Sequence, residues 1–253
     1  MGKEKIAAIV PAAGIGKRFS EDENKTFCHF LSKPLIIWTL EALHGVEEIS
    51  EIIPVFRQDD LLLSSELIEK YNVKKVKRIV PGGKERQDSV YNALSFLDDN
   101  IGVVVIHDGV RPFVQRDLIK KAISELKGFD GVITGVPVKD TIKEARCQVS
   151  SVKCQVSSRI GAVPEYESGS EIVVKKTLNR SLLWAIQTPQ VFYFNRLIKA
   201  YEKAMSEGFY STDDSSLIER YGGAVKIIMG SYTNIKITTP EDIYVAEAIL
   251  KGG

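Results

Sequence analysis

The chain has 253 residues, 44% of them hydrophobic, which suffices for one full core or one domain with an appendage. Its 34 basic residues almost cancel its 33 acidic ones, which argues against nucleic acid as the main partner, and no apolar run approaches a membrane span. Three cysteines (Cys28, Cys147, Cys154) and three scattered histidines (His29, His44, His107) make no zinc pattern, disulfide framework or clustered metal site. With no signal peptide opening at Met1-Gly2-Lys3-Glu4, a reducing cytoplasm is the expected setting.

Ile6–Val10 is a short apolar run bounded by Pro11, which suits a central strand of a parallel sheet. Ala12, Ala13, Gly14 and Gly16 follow, nearly free of side chain, so backbone N–H groups there can approach an anion. Lys17, Arg18 and Lys25 bring positive charge beside them. Phe19 stands where the dinucleotide fingerprint needs a third small residue; Pro11 and Arg18 break the Walker A pattern. On its own the loop fits a phosphate cradle and an ordinary strand-to-helix turn with surface cations about equally.

Pro34–Leu43 reads as a largely buried helix with proline in its first turn, Glu51–Phe56 as a second strand and Asp59–Tyr71 as a second helix. Lys75–Val80 reads as a third strand ending in Pro81-Gly82-Gly83, with Lys84, Arg86 and Ser89 at a helix start where the dipole favours anions. Gly102–Ile106 is the plainest buried strand, and it runs into His107-Asp108-Gly109-Val110-Arg111. Ligands of open α/β sheets bind beyond the carboxyl ends of the strands, which puts Asp108 and Arg111 in one crevice with Gly14. An Asp there can hold magnesium or a hydroxyl, and an Arg can grip phosphate; an Asp-Gly turn closed by an ion pair is the other reading.

Asp130–Val138 gives another strand. Cys147–Lys153 and Cys154–Arg159 then form a seven-residue direct repeat leading into Gly-, Pro- and Ser-rich sequence, read as an inserted excursion over about 146–171. Leu182–Gln187 is a strand closing on Thr188-Pro189, Asn195–Met205 an amphipathic helix, and Ser211–Asp214 the cap of another that stops at Gly222-Gly223. Ala224–Met229 is a strand, Asn234–Thr238 a short alternating run carrying Lys236, and Thr239-Pro240-Glu241-Asp242 a helix start. The expectation is a single α/β domain over residues 1–253, a three-layer, Rossmann-like sandwich with a mostly parallel sheet and a protruding β-arm over 138–182.

The blocks PAAGIGKR, GGKERQDSV, HDGVRPF, PVKDTIK, LWAIQTPQVF, STDDSSLIE and NIKITTPEDI, in this order, resemble the 2-C-methyl-D-erythritol 4-phosphate cytidylyltransferase family of isoprenoid synthesis over essentially the whole chain. The resemblance implies transfer of a cytidylyl group from CTP to a polyol phosphate, with Mg2+ or another divalent cation, by a cytoplasmic homodimer that exchanges arms. It implies Pro11, Ala12, Ala13, Gly14, Gly16, Gly82, Gly83, Arg86, Ser89 and Asp108 around the nucleotide. Arg18, Lys25, Lys236 and Arg180 would be catalytic, with Arg18 and Lys25 stabilising the transition state. Asp108, Arg111, Thr141, Arg180, Thr188 and Thr212 would hold the acceptor, Thr141 and Arg180 reaching it from the partner subunit, and Asp108 would lie beside the metal. A ribitol-5-phosphate cytidylyltransferase and a catalytically idle nucleotide-binding module are the rival readings.

Overall fold

The computed structural model describes residues 4–14, 25–148 and 171–252. The first strand, β1 (Lys5–Pro11), alternates strictly: Ala7 and Ile9 enter one core, Ala8 and Val10 the other. That is why it reads as an uninterrupted apolar run, for both faces of a central parallel strand are covered. A two-residue ladder, β2 (His29–Phe30) with β3 (Lys33–Pro34), delivers the chain to α1 (Leu35–His44), with Pro34 preset at φ −56° just before the helix. Then come β4 (Ile49–Phe56), a single 3-10 turn, α2 (Leu61–Lys70), β5 (Val80–Pro81), α3 (Arg86–Leu94) and β6 (Ile101–Ile106). The chain continues through α4 (Arg116–Ser124), β7 (Gly131–Pro137), β8 (Lys143–Gln148), β9 (Glu171–Thr177), β10 (Trp184–Tyr193), α5 (Phe194–Ser206), α6 (Ser215–Arg220), β11 (Val225–Met229) and α7 (Glu241–Gly252).

Among the described residues the main sheet has seven strands in the order β11-β7-β10-β6-β1-β4-β5, all parallel except β10, which runs antiparallel to both β6 and β7. Helices α1, α2 and α4 cover one face; α3, α5 and α6 cover the other. On α5 the buried residues Leu197, Ala200, Tyr201 and Ala204 recur at the helical period, so one stripe faces the sheet and the charged remainder faces water. The three-layer α/β sandwich expected from the sequence is what the chain forms. Strands β8 and β9 make a separate antiparallel pair within residues 138–182, most of its described side chains exposed, including Ile172 and Val174.

Two local expectations are corrected, and two segments gain a structure that the sequence reading left open. Lys75–Val80 is not a continuous strand: it touches β4 at the bridge Val76–Ile52 and again at Val80–Val55. Four steps on this edge segment face three on β4, and the extra residue breaks the ladder. The strand through Thr188 does not close at Pro189 but resumes after an irregularity and continues to Tyr193. Helix α4 was not foreseen; its first turn has no side-chain cap, and only Ile119 and Ala122 are fully buried. Asn234–Thr238 joins no sheet and instead crosses the carboxyl end of β6, where Ile237 N–H donates to Val110 O at 2.9 Å. The Cys147/Cys154 repeat falls, apart from the backbone of its first two residues, outside the described residues. Among the described residues no helix is long and apolar enough to cross a membrane.

Candidate active site

Beyond the carboxyl ends of β1, β4, β5 and β6 lies a two-lobed cleft. The first lobe, about 610 Å³, is walled by Pro11–Gly14, by Gly83, Arg86 and Ser89 at the start of α3, and by Lys25 and Arg57. The second, about 540 Å³, lies among Arg111, Thr188 and Gln190 and the first turn of α6. Arg86, Asp108 and Lys236 line both.

Sterics and hydrogen bonds explain the first lobe's small residues one by one. A Cβ on Gly82 would lie 2.4 Å from the Ala13 Cβ, and one on Gly83 would lie 2.3 Å from the Asp88 Cβ, so packing between loops demands both glycines. Gly14 is different: a Cβ there meets nothing within 4 Å among the described residues. Its bareness serves the cleft and not the protein interior, which fits close approach of a ligand to backbone. Ala12 is held by N–H donation to Val55 O at 2.8 Å, whereas the N–H groups of Ala13 and Gly14 meet no protein acceptor among the described residues. At α3, Glu85 N–H donates to the Asp88 carboxylate at 2.9 Å in a capping box, and Ser89 Oγ accepts from Gly83 N–H at 3.1 Å. Ser89 therefore shapes the loop that faces the ligand.

Asp108 is the centre of the second arrangement. It is only 6% exposed, and three cations converge on it: Lys236 Nζ at 3.0 Å and Arg111 Nε at 3.3 Å from Oδ2, and Arg86 Nη2 at 3.4 Å from Oδ1. Burial alone would raise the Asp108 carboxyl, but Arg86, Lys236 and Arg111 outweigh it and hold the group well below the usual carboxylate range. Arg86 is gripped a second time by Asp214, at 2.8 Å, and Asp214 in turn accepts from the buried Tyr201 hydroxyl. Burial opposes the charge of Arg86, yet Asp214 and Asp108 together hold it more firmly protonated than a free arginine.

The backbone of this loop is fixed by a relay. Asp108 N–H donates to Thr188 Oγ1 at 3.0 Å, Thr188 Oγ1 lies 2.9 Å from His107 Nδ1, and His107 Nε2 lies 3.1 Å from Arg111 O. A carbonyl only accepts, so Nε2 carries the imidazole proton and Nδ1 accepts the Thr188 hydroxyl proton. The ring is neutral; burial pushes its pKa down to about 4. Asn234 ties the Lys236 segment in place, its Nδ2 donating to Thr188 O at 2.8 Å while its own carbonyl accepts from Arg111 Nη1 at 2.8 Å. Gln190 does the same for α6, donating to Asp213 at 3.1 Å and accepting from Ser215 N–H at 3.2 Å.

The IspD family profile, described as 2-C-methyl-D-erythritol 4-phosphate cytidylyltransferase, matches residues 6–159 and 165–252. The chain belongs to this family. It is 42% identical over 245 residues to the 2-C-methyl-D-erythritol 4-phosphate cytidylyltransferase of Clostridioides difficile strain 630, covering 96% of this chain and 93% of that one. The corresponding protein of Caldanaerobacter subterraneus is 40% identical, with 97% and 99% covered. The crystal structure of 4-diphosphocytidyl-2C-methyl-D-erythritol synthase from Anaerococcus prevotii superposes with a TM-score of 0.78 at 33% identity, over 98% of this chain and 96% of that one.

Of the residues to which the family resemblance gives a role, Pro11, Ala12, Ala13, Gly14, Gly83, Ser89, Lys25, Arg86, Asp108 and Lys236 line the first lobe, and Arg111, Thr188 and Thr212 the second. Gly82 stands behind the wall. Thr141 and Arg180 lie exposed within the 138–182 segment and line neither lobe of their own chain. Gly16 and Arg18 are outside the described residues. Asp214, Tyr201 and Gln190 were not singled out as site residues; Asp213-Asp214 read as a helix cap, and that reading masked the buried partner of Arg86. Among the described residues no group of three or more His, Cys, Asp or Glu could hold a metal. A cation at the wall shared by the two lobes would lean on Asp108, the one carboxylate that lines both and whose Oδ1 has the longer ionic contact, and take its other ligands from phosphate and water, a donor set that fits magnesium.

Proposed function

We infer that the chain transfers a cytidylyl group from CTP to 2-C-methyl-D-erythritol 4-phosphate, releasing pyrophosphate. The observation that carries the reading is the shared wall: Arg86, Asp108 and Lys236 belong at once to the lobe suited to a nucleotide and to the lobe suited to its acceptor. The triphosphate lies against the amides of Ala13 and Gly14, and the acceptor phosphate enters beside Arg111 and Lys236. An ionised phosphate nucleophile needs orientation more than a base, which agrees with a site whose one histidine is neutral and committed to the frame. Lys236, Lys25 and Arg18 stabilise charge as it grows on the phosphate oxygens in the transition state. Asp108, together with the nucleotide's phosphates, would hold magnesium, which would supply charge neutralisation of the triphosphate. Asp108 also orients acceptor hydroxyls, together with Thr212.

Homodimerisation and a cytoplasmic setting are part of the same reading. Thr141 and Arg180, which line neither lobe of their own chain, reach the acceptor phosphate of a partner subunit on the 138–182 arm; a monomer by light scattering at assay concentration would refute this. The deciding assay is pyrophosphate release from CTP with magnesium. Release is expected with methylerythritol phosphate; release with ribitol phosphate alone would reassign the acceptor, and turnover of neither would leave an idle nucleotide-binding module.

A further inference from the structure

The second lobe is polar on two sides and aliphatic on the third. Asp108, Arg111 and Lys236 form one polar side, and the start of α6 forms the other. The third consists of Ile133 on β7, Ile186 on β10 and Ile227 on β11. These come together by register: Ile227 pairs with Ile133, and Ile186 pairs with Gly135, two residues further along β7 and therefore on the same face. A Cβ on Gly135 would stand 3.1 Å from Ile186 Cδ1, so the glycine lets this isoleucine lie across the strand. The adjacent amide is already committed, for Gln187 Nε2 donates to Ser231 O at 2.8 Å and its Oε1 accepts from Ser231 N–H at 3.4 Å.

Three aliphatic side chains in a lobe built for a polyol phosphate require an apolar part of the ligand. A linear polyol without a branch would turn only a C–H toward them and leave the patch partly unfilled, with less apolar surface removed from water. A carbon bearing a methyl group can turn that methyl to the patch and its hydroxyl to the polar sides. We propose that Ile186 and Ile227, resting on Ile133, form a methyl-recognition subsite that selects a C-methylated polyol phosphate over an unbranched one. The inference rests on the acceptor assigned above.

The test compares kcat/KM for methylerythritol phosphate and for erythritol 4-phosphate, which differ by that methyl group, in the wild type and in Ile186→Ala and Ile227→Ala. Ile133 is left intact because it is also core. One methyl in an apolar pocket discriminates about tenfold or more. The wild type should show that preference, each alanine variant should reduce it at least about threefold with the KM for CTP unchanged, and Ile186→Val should retain it. Ile227, 42% exposed at the rim, keeps the test available should Ile186→Ala fold poorly. An equal ratio in wild type and both alanine variants, or no preference in the wild type, overturns the subsite while the acceptor reading stands. Turnover of neither phosphate by the wild type overturns that reading and the subsite with it.

Discussion

Replacing Thr188 by valine tests the relay behind Asp108 with almost no change in volume. The threonine hydroxyl accepts from Asp108 N–H at 3.0 Å and faces His107 Nδ1 at 2.9 Å, both sites being buried. Valine leaves one donor and one acceptor without partners. His107 gains nothing by moving its proton to Nδ1, for that would turn a lone pair on Nε2 toward the Arg111 carbonyl. Each stranded group costs about 1–3 kcal/mol, so the variant should lose about 3 kcal/mol, seen as a fall in Tm of roughly 6–12 °C for a chain of this size. Urea unfolding followed by Trp38 and Trp184 fluorescence gives the free energy directly. Thr188→Ser keeps both bonds and should lose no more than about 1.5 kcal/mol. Turnover should fall in the valine variant with little change in the KM for CTP, because Asp108 loses its backbone anchor. A valine variant melting within about 2 °C of wild type, or a serine variant as damaged as the valine one, would refute the relay.

Other consequences are equally direct. His107 has a folded pKa pushed down to about 4, below the unfolded value near 6.5, so it binds its proton more readily when unfolded, and stability falls as pH drops from about 6.5 to 4 by roughly 3 kcal/mol. His107→Gln should remove that part of the pH dependence; identical slopes in the two proteins would contradict it. Asp108, depressed instead by its cations, keeps its contribution throughout that window and loses it only at more acidic pH, below its unfolded value and through its folded one. Gly14→Ala, with none of the described residues within 4 Å of the new Cβ, should fold normally and raise the KM for CTP several-fold, whereas Gly82→Ala, forced to 2.4 Å from Ala13, should cost about 1–3 kcal/mol of stability; calorimetry and CTP titration separate the two. Asp214→Ala strips Arg86 of its 2.8 Å partner and should destabilise by about 3–5 kcal/mol, measurable by urea unfolding, with a raised KM for the acceptor phosphate. Arg18→Ala or Lys25→Ala should lower kcat by orders of magnitude and leave CTP affinity, by isothermal titration, nearly intact.

Much of this architecture is legible in the sequence because buried parallel strands declare themselves. Ile6–Val10 and Gly102–Ile106 are apolar on both faces, and the loops after them must lie at the carboxyl edge, which brings Gly14 to Asp108. Two kinds of feature were hidden. Edge segments such as 75–80 have strand composition, yet whether they pair depends on register against β4, a long-range property that no local pattern encodes. Site residues recruited by tertiary contact were the other: Asp214 meets Arg86 across 128 positions of sequence, and its local appearance is that of a helix cap. Arg57 likewise reaches the first lobe from the end of β4 with only an exposed Asp59 to mark its place.

The antiparallel insertion of β10 between β6 and β7 has a bearing on how the molecule is built. During synthesis the first 137 residues supply β5, β4, β1 and β6 on one side of a slot and β7 alone on the other, and the facing edges of β6 and β7 have no hydrogen-bond partners until Trp184–Tyr193 emerges. The same late segment brings Thr188 to the Asp108 loop and Gln190 to α6. Filling the slot and fixing the Asp108 loop are therefore one event, with α6, β11 and the Lys236 segment still to follow, and a nascent chain halted before it has neither a sealed interior nor a working centre.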